Sequence, residues 1–174
     1  MPACRLITLD DARGLADLVR TNREFLAPWE PLRDDSYFTE AGQRASIGAS
    51  LAEHDRGRGL PYVITDGAGS VVGRVNLNNI VRGAFQSASL GYWMAESAGG
   101  RGVATAAVRD IVGMAFAELG LHRIQADTLV HNVASQRVLA RNGFVQIGRA
   151  PHYLKIDGRW QDCLLHQLIN DAAG

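Results

Sequence analysis

The chain has 174 residues and a formal net charge of zero, with 18 basic and 18 acidic side chains. A chain of this length buries roughly two-thirds of its unfolded surface, so we expect one domain spanning residues 1–174. The balanced charge argues against nucleic acid as a direct partner and against capture at an anionic membrane surface, and no apolar run approaches a membrane span. The two cysteines, Cys4 and Cys163, lie far apart without metal-ligand spacing, which indicates free thiols in a cytoplasmic protein.

The N-terminal segment predicts a short strand within residues 4–9 and then a helix for which Asp10 is the expected N-cap. In the segment that follows, Pro28 and Pro31 flank Trp29 and Glu30. Because proline cannot continue a helix, this pattern predicts a stiff loop that holds an aromatic ring and a carboxylate in place. A simpler interpretation is a hydrophobic plug with a solvated carboxylate.

A second helix is predicted over residues 39–54, with Thr39 as its N-cap. Turn residues then separate three β-prone segments, which predicts an antiparallel meander. Its strands are expected at 61–65, 71–80 and 85–94. In the middle strand Asn76 and Asn78 share one face, where they are either solvated or line a peptide groove.

The centre of the chain reads as strand, glycine loop and helix. Gly99, Gly100 and Gly102 precede a segment whose apolar residues recur every three or four positions up to Leu119, which is the spacing of an amphipathic helix. A glycine loop at a helix N-terminus exposes backbone N–H groups to an anion such as a phosphate. The loop matches neither the nucleoside-triphosphate P-loop nor the dinucleotide fingerprint, and a plain turn is the simpler alternative.

Residues 122–130 predict another strand, which makes strand, helix and strand a parallel crossover unit. Asn132 is a good N-cap and Asn142-Gly143 a good C-terminal signal, so a short helix is expected between them. Residues 144–156 and 160–169 then predict a closing hairpin around a turn at 156–159.

Three motifs resemble the GNAT superfamily of acetyl-CoA-dependent N-acetyltransferases. The family's phosphate loop, Q/R-x-x-G-x-G/A, is matched at Gly102 and Ala104, while Gly99 replaces the usual Gln or Arg. The run N-x-x-S-x-x-V-L-x-x-x-G-F from Asn132 to Phe144 is similar to the matching GNAT segment. The run N-R-x-x-L-x-P-W-x-P at 22–31 resembles the RimJ/RimL branch, whose members modify the N-terminal amine of ribosomal proteins.

The resemblance covers nearly the whole chain and implies an α+β GNAT fold. Such a fold has a mixed, largely antiparallel sheet of six to seven strands, flanked by about four helices and splayed after Gly91 at the cofactor cleft. In that cleft the pantetheine amides of acetyl-CoA would pair with exposed strand backbone. The implied cofactor-binding residues are Tyr92, Trp93, Met94, Gly99, Gly100, Arg101, Gly102, Val103, Ala104, Thr105, Asn132 and Ser135.

Amine acetylation needs a neutral amine and a proton for the departing thiolate. Ser135 resembles the serine that RimL-type enzymes place beside the cofactor sulfur, and we expect it to donate that proton, although a serine there also caps helix N–H groups. His152 stands before Tyr-Leu, where relatives commonly carry Glu or Asp, and is the first candidate for the general base. Glu30 and Asp127 are further candidates.

We therefore expect transfer of acetyl from acetyl-CoA to the N-terminal amine of a protein, such as a ribosomal protein. Two other functions stay open. One is acetylation of a small amine, such as an antibiotic, a polyamine or a toxic aminoacyl compound, and the other is a catalytically idle acetyl-CoA-binding module. No metal site is expected, because no His, Cys or acidic set has ligand spacing. The sequence fits a monomer or a homodimer.

Overall fold

A computed structural model of the chain describes residues 3–170. Within this range seven strands form one sheet, and five α-helices accompany them. The strands are β1 (Cys4–Leu6), β2 (Leu60–Thr65), β3 (Val71–Val81), β4 (Ser87–Met94), β5 (Arg123–Leu129), β6 (Val145–Ile156) and β7 (Arg159–Ile169). The helices are α1 (Ala12–Thr21), the single turn α2 (Arg23–Leu26), α3 (Glu40–Asp55), α4 (Val103–Ala117) and α5 (Val133–Arg141). The predicted α+β class is confirmed.

The sheet runs in the order β1-β2-β3-β4-β5-β7-β6, and its neighbours are antiparallel except for β4 and β5. Parallel pairing extends only from Ser87–Arg123 to Leu90–Ala126. Because β4 continues to Met94 and β5 to Leu129, the two strands part beyond this last pair. The gap opens one residue before the predicted position.

Helix α4 packs on one face of the sheet through the apolar stripe that the sequence predicts. Val108 and Ile111 are fully buried and share a core with Leu77 of β3 and Ile124 of β5. Burying a side chain of this size contributes about 1.5–3 kcal/mol, so this stripe fixes α4 against the centre of the sheet. The opposite face holds a second core, in which Leu15 of α1 and Ile47 of α3 pack together with Val63 of β2.

Helix caps explain where the helices begin. Thr39 accepts a hydrogen bond from the Gly42 N–H at 3.1 Å, which confirms it as the N-cap of α3. The prediction of Asp10 as the cap of the first helix is wrong. A 3-10 turn, Leu9–Asp11, precedes α1, and the Asp11 carboxylate accepts a hydrogen bond from the Thr8 N–H at 2.8 Å. The acidic residue three positions after the threonine satisfies the exposed amide.

Candidate active site

The N-terminus of α4 presents backbone groups without a side-chain cap. Gly102 is the N-cap with φ +78°, and Gly100 has φ +74°, both in the left-handed region that favours glycine. The first N–H groups of a helix have no intrahelical acceptor. A Cβ built on either glycine would meet no atom within 4 Å, so each glycine borders open space. This geometry fits the diphosphate of coenzyme A, as the sequence predicts.

Contacts behind the loop hold this cradle in place. The Glu96 N–H donates to Asn22 Oδ1 at 2.9 Å, which ties the loop to the end of α1. Arg101 turns back, and its Nη2 donates to the Ser97 carbonyl at 2.9 Å. A Cβ at Gly99 would lie 3.1 Å from the Glu96 carbonyl oxygen, so a larger residue there needs a small shift. The loop therefore offers an anion backbone amides, whereas the Arg101 side chain is engaged with the loop itself.

Helix α5 brings Ser135 against Tyr92 of β4. Asn132 caps the helix by accepting from the Ser135 N–H at 3.1 Å, as predicted. Tyr92 Oη lies 2.7 Å from Ser135 Oγ and 3.2 Å from the Ser135 carbonyl oxygen. Burial raises the pKa of Tyr92 to about 12, so its phenol stays protonated at neutral pH. Three predicted cofactor-site residues are thus joined by hydrogen bonds.

A hydrogen bond near the cleft joins two helices that are far apart in sequence. Asn142, at the end of α5, donates from Nδ2 to the Thr105 carbonyl in the first turn of α4 at 3.2 Å. The end of α5 therefore supports the start of α4. This contact spans 37 residues of sequence, and the only sequence signal for it is that Asn142 stands at a helix end.

The proline-flanked loop crosses from α2 to the far half of the sheet. Trp29 lies in a 3-10 turn, Ala27–Trp29, and its ring stacks on His131, with centroids 5.4 Å apart and planes tilted by 36°. The Glu30 carbonyl accepts from the Asp157 N–H in the turn between β6 and β7 at 3.0 Å. We call residues 27–33 the bridging loop, because it contacts both the β5–α5 junction and the final hairpin.

The simpler interpretation of the bridging loop, a buried Trp29 with a solvated Glu30, is wrong. Trp29 keeps 36% of its surface exposed, whereas the Glu30 side chain is only 15% exposed. Burial raises the pKa of Glu30, and the positive charges of Arg33 and Arg74 partly oppose the effect. Arg74 is itself buried on β3, and nothing in its strand pattern predicted this charge beneath the loop. Glu30 is therefore a carboxylate that burial largely removes from water.

His152 lies at an irregular point on the outer strand β6. Its φ is +50°, and the pairing of β6 with β7 shifts register between Ala150 and Leu154. The His152 N–H donates to Asp162 Oδ1 at 3.0 Å, and the same carboxylate pairs with Arg149 at 2.7 Å. The side chain is exposed. The structure therefore places this base candidate on a surface bulge of the closing hairpin.

Two negative findings apply to residues 3–170. No three His, Cys, Asp or Glu side chains there come together as a possible metal site. No helix in the same range has the length and apolarity that crossing a membrane requires. Cys4 and Cys163 are both buried free thiols, as predicted.

Known proteins that resemble this chain in sequence are acetyltransferases. A family model described as an acetyltransferase (GNAT) domain matches residues 4–145. A relative from Escherichia coli strain K12, named [ribosomal protein uS5]-alanine N-acetyltransferase, is 36% identical over 165 residues, which cover 94% of this chain and 85% of the relative.

Two solved structures share the fold closely. The ribosomal-protein-S5-alanine acetyltransferase of Vibrio fischeri superimposes with a TM-score of 0.93 and 34% identity, covering 98% of this chain and 94% of its own. Mycobacterium smegmatis RimJ, solved with CoA-disulfide, also gives a TM-score of 0.93 and 34% identity, covering 98% of this chain and 85% of its own.

Proposed function

The chain belongs to the GNAT acetyltransferase family, and we propose that it transfers acetyl from acetyl-CoA to the N-terminal amine of a ribosomal protein. The observation that carries the proposal is the uncapped N-terminus of α4 at the end of β4, beside the gap between β4 and β5. The acceptor is inferred from relatives named for acetylating ribosomal protein alanine, one of which matches 94% of the chain. The proposal includes one domain over residues 1–174 and a cytoplasmic location.

The residues of the cleft divide the work of holding acetyl-CoA. The N–H groups from Gly100 to Thr105 would hold its diphosphate through charge-assisted hydrogen bonds. Beyond Leu90, the β5-facing edge of β4 offers backbone groups that can pair with amides as a further strand does. Tyr92, Trp93 and Met94 follow that edge toward the reacting end. When bound, acetyl-CoA supplies an acetyl group activated as a thioester.

Ser135 is the proposed proton donor, acting from Oγ on the departing thiolate. A single hydroxyl carries one proton, so its direction matters. If the protonated Tyr92 phenol donates to Ser135 Oγ at 2.7 Å, the serine hydroxyl proton is not used in that bond and can be donated to the thiolate. Tyr92 then acts through Ser135 as a positioning residue.

His152 and Glu30 are two of the three residues that the sequence predicts as candidates for the base that accepts the amine proton. Their settings differ, because His152 is exposed on a bulge and Glu30 is largely buried in the bridging loop. A base must be deprotonated to act, so a variant that removes it should lose the acidic limb of the pH–rate profile. His152→Ala and Glu30→Gln test the two residues separately.

Labelled acetyl-CoA and a mixture of ribosomal proteins provide the direct test. We expect mass spectrometry to place the label on the N-terminal residue of one ribosomal protein. The matched control is Gly102→Val, which should abolish labelling by closing the cradle. Label found only on added polyamines or aminoglycosides would replace the proposed acceptor by a small amine. Coenzyme A binding without transfer to any amine would identify an idle binding module.

A further inference from the structure

Asp127 occupies the position on β5 where the gap opens. The last parallel pair is Leu90–Ala126, and both residues face the core beneath α4. Side chains alternate along a strand, so Gly91 and Asp127 point to the opposite face. Trp93 lies on that face and packs against the core of α1 and α3. We call this the acceptor face.

Across the gap, β4 leaves the space beside Asp127 open. The residue next to the last pair on β4 is Gly91, which has no side chain. A Cβ built on Gly91 would meet only Asn78 Nδ2 within 4 Å, at 3.8 Å. A small polar group therefore has room between the two strands at the level of Asp127.

The Asp127 carboxylate makes no hydrogen bond or ion pair with another residue in the range 3–170. It is half-buried, and burial raises its pKa, which His166 on β7 partly opposes. Its negative charge raises the pKa of Tyr153 on β6, and the pKa of Cys163 on β7 is raised first by burial and then by the same charge. A desolvated carboxylate without a partner costs stability, so packing does not account for its presence.

We propose that Asp127 receives the acceptor: its carboxylate binds the N-terminal ammonium of the substrate and removes one proton from it. In this step an N–H bond of the ammonium breaks, an O–H bond forms on Asp127, and the electron pair stays on nitrogen for attack. Water takes the proton from Asp127 once the product leaves. The inference rests on the proposed function and assigns the two proton carriers to opposite faces of the sheet, with Asp127 on the acceptor face and Ser135 beside Tyr92 on the face that carries α4.

The test compares Asp127→Asn with wild type on a synthetic peptide that carries an N-terminal alanine. We expect kcat/KM to fall about 100-fold at pH 7, with loss of the acidic limb, because a general base contributes at least about that much. The deficit should shrink above about pH 8, where the free amine loses its proton unaided. Coenzyme A affinity by calorimetry should stay unchanged, and Asp127→Glu should regain part of the rate and the limb.

Asp66→Asn is the matched control, because Asp66 lies in the β2–β3 turn, where its Oδ1 accepts from the Ala68 and Ser70 N–H groups and an asparagine can do the same. Its profile should equal that of wild type. An Asp127→Asn enzyme that keeps the acidic limb overturns the inference, as does loss of the limb in His152→Ala alone. If Asp127→Asn does not fold, an Asp127→Glu enzyme with the wild-type rate and profile overturns it.

The proposed function fails separately, when wild-type enzyme modifies no N-terminal amine although coenzyme A binds. The inference fails on its own when wild type is active and Asp127→Asn matches it. A titration of the Asp127 carboxyl by carbon-13 NMR gives a readout that needs no turnover. Addition of the peptide to the protein should lower the pKa of Asp127, because the ammonium favours the ionised carboxylate.

Discussion

The two sides of the cleft present different chemical groups, backbone amides on one and side chains on the other. On the cofactor side, Gly100 and Gly102 present bare amides at the end of a long helix, and side chains serve mainly to anchor the loop. On the proposed acceptor side, the bridging loop and the strand ends present side chains, including the largely buried Glu30 and Asp127, whose carboxylate makes no hydrogen bond or ion pair within residues 3–170. The difference matches the ligands, because a diphosphate is the same in every cycle whereas an acceptor must be distinguished by its own groups.

Gly102→Val should have the largest effect, since it attacks the backbone side directly. A β-branched residue at φ +78° costs about 1–2 kcal/mol of stability, and its side chain would project into the open space that the loop borders. We expect coenzyme A affinity to fall at least about 100-fold, because charged hydrogen bonds contribute about 1.5–3 kcal/mol each.

The control for this variant is Gly113→Ala, which adds a methyl group to an exposed position of α4 that meets no atom within 4 Å. It should bind coenzyme A like wild type and be slightly more stable. Calorimetric titration and thermal melting measure both quantities. Equal affinities for Gly102→Val and wild type would show that the cradle does not bind coenzyme A.

Ser135→Ala should come next, with a fall in kcat of about 100-fold and an unchanged coenzyme A affinity. The Asn132 cap accepts from the backbone of residue 135, so the start of α5 should persist. Steady-state kinetics and calorimetry separate the two effects, with Ser46→Ala, on α3, as the control for loss of a serine hydroxyl. An unchanged kcat would remove Ser135 from the mechanism.

Tyr92→Phe should lower kcat about 10-fold or less, since it removes one hydrogen bond and keeps the ring. If Tyr92 acts through Ser135, the double variant should be no slower than Ser135→Ala alone. Tyr62→Phe, in β2, is the control. Independent, multiplying effects in this double-mutant cycle would contradict the positioning role.

Glu30→Gln sharpens the contrast on the acceptor side through stability. Burial raises the folded-state pKa of Glu30, so the ionised form destabilises the fold above the pKa of the unfolded chain. The cost is complete above the raised pKa and disappears below the unfolded value, about 4.3. Glu30→Gln should therefore melt about 2 °C higher than wild type at pH 7, with the gap closing in acid. A lower melting temperature at pH 7 would mean that Arg33 and Arg74 overcompensate for burial.

The two sides of the cleft also differ in how far the sequence predicts their contacts. The cofactor side depends on neighbours in sequence, such as glycines before a helix, and Asn132 three residues before Ser135. The acceptor side depends on distant pairs. Trp29 and His131 stack across about a hundred residues, and the charge of Arg74 reaches Glu30 from another strand. No local pattern encodes such contacts, so the burial of Glu30 was missed.

A small error near the start has the same origin. Asp10 is predicted as the N-cap of the first helix, whereas Asp11 occupies the N-cap position of α1 and its carboxylate accepts from the Thr8 N–H in the preceding 3-10 turn. Arg5 of β1 also binds Asp11, at 2.7 Å, and this contact lies outside any helix rule.

The order of the strands in the sheet also limits the order in which the chain can fold during translation. Strand β7 lies between β5 and β6 in the sheet, so β6 can join the sheet only after β7 has been synthesised. Asp157 lies between β6 and β7, so its hydrogen bond to the Glu30 carbonyl can form only after β6 has left the ribosome. The contacts that join the bridging loop to the final hairpin therefore form late, after the residues of β1 to β5 have been synthesised.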